Sequence, residues 1–158
     1  MQRYQSKKIG NAGEEIAAQV LGRLGVHMVE EIATPIKIIE KKMFFGQWWY
    51  RILWKKKVSA DHNGILEDGR RVLAEVKTIS DKNLVWTDLK PHQPGRLSMN
   101  AEYGGLSLLV WVHNSGVYVM RWPVPGFRKG HGITPAMAEK LNIQSEAELY
   151  DTVHTSVS

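Results

Sequence analysis

The sequence predicts a mixed α/β or α+β domain built around a central sheet. Three observations indicate this class. Helical and β-compatible patterns follow one another in the order helix, strands, helix, strands, helix. The 158 residues provide one sizeable core but are too few for two ordinary domains. Hydrophobic residues make up 43% of the chain and charged residues 23%, as in soluble globular proteins.

The first helix is predicted in residues 10–25. Its apolar residues recur at helical spacing, with Asn11 available as the N-cap and Gly25 as the stop. A short β-compatible stretch follows in residues 26–34. The next segment, rich in aromatic residues and lysines, predicts two strands with Gly46 at the turn between them.

The second half of the chain opens with a hairpin that carries the candidate site. Further elements follow, each indicated by its own periodicity or turn residues. They are a strand at residues 84–89, a helix at 92–103, two apolar strands at 106–114 and 116–122 joined by a turn, a helix at 134–141 opened by Thr134 and Pro135, and a short helix at 145–150.

Composition and charge exclude several classes of protein. The chain has no cysteine, so a disulfide framework, a thiolate metal site and a cysteine nucleophile are excluded. No apolar run is typical of a signal peptide or reaches the roughly 20 residues that span a bilayer, so we expect a cytoplasmic protein without membrane contact. The net charge of +5 favours polyanionic partners, with nucleic acid first among them.

A carboxylate and an ammonium group share one face of the hairpin's second strand. In the stretch VLAEVK, strand alternation places Glu75 and Lys77 on one side and Val76 on the other. An isolated pair of this kind is usually a solvent-facing strand edge. Here the pair lies in an apolar strand of a basic chain, after a partner strand that contains Asp61, and this context favours a functional site.

The turn of the hairpin decides what Asp61 faces. A two-residue loop would place Asp61 opposite Val76. A three-residue loop at 67–69, with Gly69 in the left-handed conformation of a G1 bulge, places it opposite Glu75. We favour the second register, which brings the β-carbons of the two acidic residues to roughly 5 Å from each other.

Two opposed carboxylates form a site of oxygen ligands, which suits Mg²⁺, with Mn²⁺ as a substitute, better than zinc. We expect Asp61, Glu75 and the Val76 carbonyl to hold the metal, which would activate a water and stabilise charge on a phosphate oxygen. Lys77, on the same face, would orient that water or stabilise the transition state. We expect no small-molecule cofactor beyond the metal.

The pattern of Asp61, thirteen residues, then Glu75-Val76-Lys77 resembles the PD-(D/E)xK nuclease motif. The N-terminal pattern K-x-G-x-x-x-E, followed by L-x-x-x-G, is similar to the start of archaeal-type (Hjc-like) Holliday junction resolvases. Its residues here are Lys8, Gly10, Glu14, Leu21 and Gly25. The resemblance implies an α/β restriction-endonuclease-like fold, with a central mixed sheet flanked by helices. We expect a single nuclease domain, 1–158, with its core at about 7–123 and, beyond the part that the resemblance covers, a C-terminal helical extension at about 133–150.

The resemblance adds two residues to the candidate site. Glu14 corresponds to the third acidic residue, and the helical wheel places it at the flank of the apolar face while Glu15 points to solvent. Gln93 lies where such nucleases often have a polar residue, and it either orients the attacking water or is an ordinary residue at a helix start. His62 and His92 are candidates for an assisting role, but we interpret both as surface histidines.

Basic residues supply the candidate DNA contacts. The segment FFGQWWYRILWKKK, residues 44–57, holds three lysines, an arginine and six aromatic residues. We interpret its basic residues as phosphate contacts and its aromatic residues as covering the core or a dimer interface, with a wedge into an opened junction as the alternative. The candidate contacts are Arg3, Lys7, Lys8, Arg51, Lys55, Lys56, Lys57, Arg128 and Lys129.

The sequence therefore predicts a Mg²⁺-dependent endonuclease that resolves four-way DNA junctions. We expect a homodimer, because two symmetric cuts need two sites related by a two-fold axis. Either the apolar strand at residues 106–112 or the Trp-rich segment would form the interface. The alternatives are another PD-(D/E)xK nuclease, restriction-like or replication-repair, that cuts duplexes or flaps, and a catalytically silent DNA-binding module.

Overall fold

The computed structural model describes residues 2–28, 36–54 and 61–150. The chain divides into two compact units, one formed by residues 30–59 and the other by the rest of the chain. In chain order the elements are α1 (Gln2–Arg23), β1 (His27–Met28), β2 (Ile36–Phe44), β3 (Gln47–Trp54), β4 (His62–Ile65), β5 (Arg71–Thr78), α2 (Gln93–Glu102), β6 (Leu106–His113), β7 (Gly116–Arg121), α3 (Pro135–Leu141) and α4 (Glu146–Tyr150). The smaller unit contains β2 and β3.

The larger unit is built on a five-stranded sheet in the order β1-β4-β5-β6-β7. β5 and β6 are parallel, and the other neighbouring strands are antiparallel. The connection between the two parallel strands contains α2, as a crossover connection usually contains a helix. The predicted α/β class, with a central mixed sheet flanked by helices, is confirmed.

The sheet separates two hydrophobic clusters. α1 and α4 cover one face, where Ala74 of β5 is buried. α2 and α3 cover the other face, where Leu73 of β5 and Leu97 of α2 belong to one cluster. Alternate residues of β5 therefore face different helices, and Glu75 and Lys77 project on the α2 side.

α1 begins at Gln2, so Asn11 lies in its interior and the prediction of Asn11 as the N-cap is wrong. The residues before Asn11 are mainly good helix formers and include no proline, so nothing ends the helix there. The C-terminal signal is confirmed, because Gly25 has a φ of 87° and the N–H of Val26 donates to the Leu21 carbonyl at 3.0 Å, as in a Schellman motif. Among the described residues, no helix has both the length and the apolar character needed to cross a bilayer.

Residues 84–89 do not form the predicted strand. Leu84 makes an isolated bridge with Ile133, and a 3-10 turn follows it. The turn is closed by Asp88, whose Oδ2 accepts the backbone N–H of Val85 at 2.8 Å. A side chain that bonds its own local backbone competes with strand pairing, which accounts for the difference. The later predicted elements, α2, β6, β7, α3 and α4, are all present.

The apolar strand considered as a dimer surface, residues 106–112, belongs to β6 in the interior of the sheet. Its side chains from Leu106 to Trp111 are buried, because β5 and β7 pair with it and helices cover both faces. The prediction that this strand is an exposed interface is therefore wrong.

The smaller unit is a β-hairpin of β2 and β3. Phe45 and Gly46 form its two-residue turn, with φ values of 49° and 74°. Two positive φ values are typical of the type I′ turn that joins tightly paired strands, so the predicted turn at Gly46 is confirmed. Arg51 lies in β3. Three further candidate DNA contacts, Lys55, Lys56 and Lys57, lie outside the described residues.

Candidate active site

β4 and β5 form a hairpin with the predicted three-residue loop. The N–H of Leu66 donates to the Arg70 carbonyl at 2.9 Å, and the N–H of Gly69 donates to the Leu66 carbonyl at 2.9 Å. Gly69 has a φ of 85°, the left-handed conformation expected for a G1 bulge. The strands then pair as far as His62 opposite Ala74, and the predicted register is confirmed.

Asp61 lies one residue beyond the last paired residue of β4, in register with Glu75. Its Oδ2 accepts the backbone N–H of Val76 at 2.9 Å. The N–H and C=O of one strand residue point to the same side, so the Val76 carbonyl also faces Asp61. Two oxygen donors, one from a side chain and one from the backbone, thus lie together beside Glu75.

Glu75 is buried, with only 1% of its surface exposed. Lys77 Nζ lies 3.0 Å from Glu75 Oε1. Burial raises the pKa of Glu75 to about 7; the negative charge of Asp61 adds to the rise, and the positive charge of Lys77 opposes it. The two carboxylates are therefore close enough to repel each other, which is the electrostatic situation that a bound cation relieves.

Gln93, the first residue of α2, joins the carboxylate and the ammonium group. Its Nε2 donates to Glu75 Oε1. Its Oε1 accepts hydrogen bonds from Lys77 Nζ at 3.0 Å and from the backbone N–H of Lys90 at 2.7 Å. The acceptor end of the amide thus faces two donors and the donor end faces a carboxylate, so the network fixes the orientation of the amide.

α1 brings Glu14 to the end of β5 through a close helix–strand contact at Gly13. A Cβ on Gly13 would overlap Oγ1 of Thr78 and lie 3.0 Å from its Cβ, so only glycine permits this approach. Glu14 is half-buried and lines a cleft of about 410 Å³ together with Val76 and Lys77. Glu15 is exposed, as the helical wheel predicts.

His62 differs from its prediction as a surface histidine. It is half-buried, and its Nε2 donates to the Glu14 carbonyl at 3.0 Å. Because a carbonyl can only accept, Nε2 carries the proton. His62 therefore ties β4 to the turn of α1 that carries Glu14. His92 is the exposed N-cap residue of α2, as predicted.

Asp88 is a site residue that the sequence interpretation missed. It lines the same cleft as Glu14 and Lys77. The strand predicted at residues 84–89 gives its side chain no particular partner. The available signal was its position, since an acidic residue in the third position of a helical turn often bonds back to the N–H that precedes the turn.

The structure thus gathers Asp61, Glu75, Lys77 and Gln93 into one group, with Glu14 lining the adjoining cleft. Within residues 2–28, 36–54 and 61–150, no three His, Asp or Glu side chains form a group tight enough to hold a metal ion. The donors available around Asp61 and Glu75 are oxygens, the ligand type that Mg²⁺ and Mn²⁺ prefer.

The predicted DNA contacts are distributed over several elements. Arg128 and Lys129 are exposed in a loop. Ile133, which follows this loop, forms a bridge with Leu84, and Leu84 precedes Asp88 in the chain. The remaining predicted contacts in helices or strands have side chains outside the described part of the structure; they are Arg3, Lys7 and Lys8 of α1 and Arg51 of β3. Compared with known proteins, the chain matches no family model and no curated sequence.

Proposed function

We propose that the chain is a Mg²⁺-dependent DNA endonuclease with a restriction-endonuclease-like fold, which resolves four-way junctions as a homodimer by paired phosphodiester hydrolysis. The observation that carries the proposal is the hydrogen-bonded group of Asp61, Glu75, Lys77 and Gln93 at one end of β5. Two carboxylates, one of them buried, and a fixed ammonium group beside an open cleft suit phosphodiester hydrolysis in a basic chain.

The donor set fits a hard divalent cation. Burial raises the pKa of Glu75 and the Asp61 charge adds to the rise; a cation shared by the two carboxylates would remove the repulsion between them. Asp61, Glu75 and the Val76 carbonyl would hold Mg²⁺, or Mn²⁺ in its place, with Glu14 as a further acidic ligand at the cleft. When bound, the metal supplies Lewis-acid stabilisation of a phosphate oxygen and lowers the pKa of a water.

Lys77 is held from two sides, by Glu75 Oε1 and by Gln93 Oε1, each at 3.0 Å. These contacts fix the ammonium group at the wall of the cleft, where negative charge develops on the phosphate during hydrolysis. A cation that is already in place needs no reorganisation during the reaction, and this is the main advantage of a preorganised site.

Gln93 acts in this proposal as a positioning residue. Its amide oxygen already accepts hydrogen bonds from Lys77 and Lys90, and its amide nitrogen donates to Glu75. These contacts favour a role for Gln93 in holding Lys77 and Glu75 in place. The alternative role, orienting the attacking water, we assign to Lys77.

DNA as the substrate is supported by charge and by the placement of basic residues. The chain carries a net charge of +5, and Arg128 and Lys129 are exposed basic residues in a loop four to five residues before Ile133, which bridges to Leu84. Contacts of this kind go to phosphates and carry no sequence information, so we expect recognition of DNA structure. The preference for four-way junctions rests on the N-terminal resemblance, in particular Lys8, Gly10 and Glu14.

The test is a cleavage panel in Mg²⁺ with a mobile four-way junction, a linear duplex and a flap. The variants are Asp61→Ala and Glu75→Ala, and Glu67→Ala is the matched control because Glu67 is an exposed acidic residue in the loop of the same hairpin. We expect symmetric cuts in the junction alone. Asp61→Ala and Glu75→Ala should bind the junction without cutting it, and Glu67→Ala should cut as the wild type does.

Each other outcome points to a different function. Equal cutting of the linear duplex or the flap would replace junction resolution with another nuclease activity. Junction binding without cutting by the wild-type protein would indicate a silent DNA-binding module. Unchanged cutting by both Asp61→Ala and Glu75→Ala would remove the mechanism altogether.

A further inference from the structure

A second cleft, of about 400 Å³, lies at the opposite end of β5. The residues that line it include Arg70, Arg71, Arg96, Met99, Asn100 and Tyr103. Arg71 and Glu75 are four residues apart on β5, so their side chains lie on the same face of the sheet. At a strand rise of about 3.3 Å per residue, the two positions are roughly 13 Å apart.

The cleft is lined by arginine side chains whose positive charge is not balanced by other residues that line it. Arg70 pairs with Asp68 at 2.7 Å, so its charge is already compensated. Arg71 is exposed, and within the described part of the chain its side chain donates to the neutral Asn63 side chain, at 3.3 Å. The Arg96 Nη1 atom is buried and has no hydrogen-bond partner among the described residues.

A buried polar atom without a partner is rare in folded proteins and calls for a specific explanation, such as a bound water or ion. The cost is larger for a charged group than for a neutral one. None of the residues that line this cleft is acidic. An anion that accepts from Arg71 and Arg96 would give the buried donor a partner and offset part of their positive charge.

One wall of the cleft is held in place by hydrogen bonds, and the rim carries exposed side chains. Asn100 Nδ2 donates to the Leu106 carbonyl at 3.1 Å and to Ser107 Oγ at 3.0 Å, which anchors the end of α2 to β6. On the rim, Tyr103 is 87% exposed and Met99 is 53% exposed. An exposed aromatic ring beside guanidinium groups offers a flat apolar surface that a nucleotide next to the bound phosphate can contact.

We propose that this cleft binds a backbone phosphate of the nucleic acid whose scissile phosphate lies at Asp61 and Glu75. The proposal rests on the proposed function, which supplies the substrate. A strand advances about 3.4 Å along the duplex axis per nucleotide and also turns around that axis, so a distance of roughly 13 Å spans no more than about four nucleotides. Arg71 and Arg96 hold the phosphate, and Tyr103 contacts the adjoining nucleotide. The cleft thus positions the strand without reading its sequence.

The test compares the double variant Arg71→Gln/Arg96→Gln with a matched double variant, Arg23→Gln/Lys140→Gln. The control removes the same charge from two exposed residues at the ends of α1 and α3, outside the cleft. Binding of a labelled four-way junction is measured over a range of salt concentrations in EDTA. One lost phosphate contact lowers the slope of log affinity against log salt by about 1.

We expect the cleft variant to bind more weakly and with a slope smaller by about 1, while the control keeps the wild-type slope. In Mg²⁺, KM should rise with kcat unchanged. Replacing each phosphate within about four nucleotides of the cut, one at a time, by an uncharged methylphosphonate should identify one whose loss weakens binding of the wild type but not of the cleft variant. If the double variant does not fold, Arg71→Gln alone, at an exposed position, should reproduce the smaller slope.

An unchanged slope in a folded cleft variant overturns the proposal, even if the wild type cuts junctions. Stabilisation of the wild type but not the variant by inorganic phosphate, with no change in DNA binding, also overturns it and indicates a site for free anions. A smaller slope in a protein that cuts no DNA supports the cleft as a DNA contact and removes the nuclease assignment.

Discussion

The Asp61 carboxylate accepts the backbone N–H of Val76 at 2.9 Å, one residue beyond the point where β4 stops pairing with β5. The side chain thus satisfies a strand N–H that β4 itself does not reach. The same contact holds the carboxylate beside Glu75, close enough for its charge to raise the pKa of that residue. Asp61 therefore has a structural role and an electrostatic role, and substitution can separate them.

We predict that Asp61→Asn keeps the structural role and removes the electrostatic one. The amide oxygen still accepts from Val76, so the free energy of unfolding should change by less than about 1 kcal/mol. Cleavage should fall by at least about 100-fold, the scale on which loss of one electrostatic group affects an active site. A carboxyl NMR titration of the metal-free protein should show a lower pKa for Glu75, because the neighbouring negative charge is gone.

Asp61→Leu is the contrasting variant. It leaves the Val76 N–H without this acceptor and should destabilise the fold by about 1–3 kcal/mol more than Asp61→Asn does. Equal stability of the two variants would show that the hydrogen bond to Val76 is not retained in solution.

We predict that Glu75→Gln removes the part of the pH dependence of the free energy of unfolding that comes from Glu75. In the folded, metal-free protein the pKa of Glu75 is about 7, above its ordinary value of 4.5. Between these values the folded state holds a proton that the unfolded state has lost, so this group's contribution to stability is complete below pH 4.5 and is lost as the pH rises through 7. Replacement by the neutral amide removes that loss, on the order of 3 kcal/mol.

The measurement is thermal or urea unfolding in EDTA from about pH 4 to pH 8, with the wild type, Glu75→Gln and Glu67→Gln. Above pH 7 the Glu75→Gln variant should be the most stable of the three and inactive in cleavage. Glu67 is exposed, so its variant should follow the wild-type curve. Parallel curves for Glu75→Gln and the wild type would contradict the raised pKa.

The sequence was sufficient for the hairpin because local chemistry sets its register. A glycine at position 69 selects the three-residue loop, and that loop alone determines that Asp61 comes beside Glu75. Helix periodicity likewise placed Glu14 at the edge of the buried face of α1. Each of these inferences depends on residues close to one another in the chain.

The rest of the site depends on contacts between distant segments, which periodicity does not encode. Gln93 meets Glu75 and Lys77 only because α2 starts above this part of β5. The approach of α1 at Gly13 and the turn closed by Asp88 depend in the same way on how whole elements pack. Sequence identified Gln93 as a candidate, but its contacts with three groups could come only from the structure.

We predict that Gln93→Ala lowers kcat with little effect on KM. Among the described residues, Lys77 would keep its contact with Glu75 but lose the one with Gln93, and the Lys90 N–H would lose the Gln93 acceptor. A less well-positioned ammonium group should reduce kcat by about 10–100-fold. His92→Ala is the control, since His92 is exposed and makes no side-chain cap hydrogen bond. A rise in KM alone would indicate that Gln93 contacts the substrate instead.

We predict that Gly69→Ala destabilises the hairpin through its backbone conformation alone. Gly69 has a φ of 85°, and a Cβ there would meet nothing within 4 Å. The left-handed conformation costs an alanine about 1–2 kcal/mol, and asparagine, which tolerates it better, should lose less. Gly22→Ala on α1, where a Cβ also meets nothing but the helix favours alanine, should be stabilising by up to about 1 kcal/mol. Urea unfolding distinguishes these outcomes, and a neutral Gly69→Ala would contradict the bulge.

Gly13→Ala tests whether the contact between α1 and β5 positions the site. The new Cβ would overlap Oγ1 of Thr78, so α1 must move away from β5 and carry Glu14 with it. We expect a loss of about 1–3 kcal/mol in stability, as for other overpacked interiors, together with weaker cleavage.

Thr78→Ala removes the overlapping oxygen and leaves a Cβ at 3.0 Å, so it should partly restore both properties in the double variant. A double-mutant cycle measures this rescue as a coupling energy, since neighbouring side chains that clash are not additive. Additive losses would show that the two residues do not touch in solution, and Glu14 would then need another contact to hold it at the cleft.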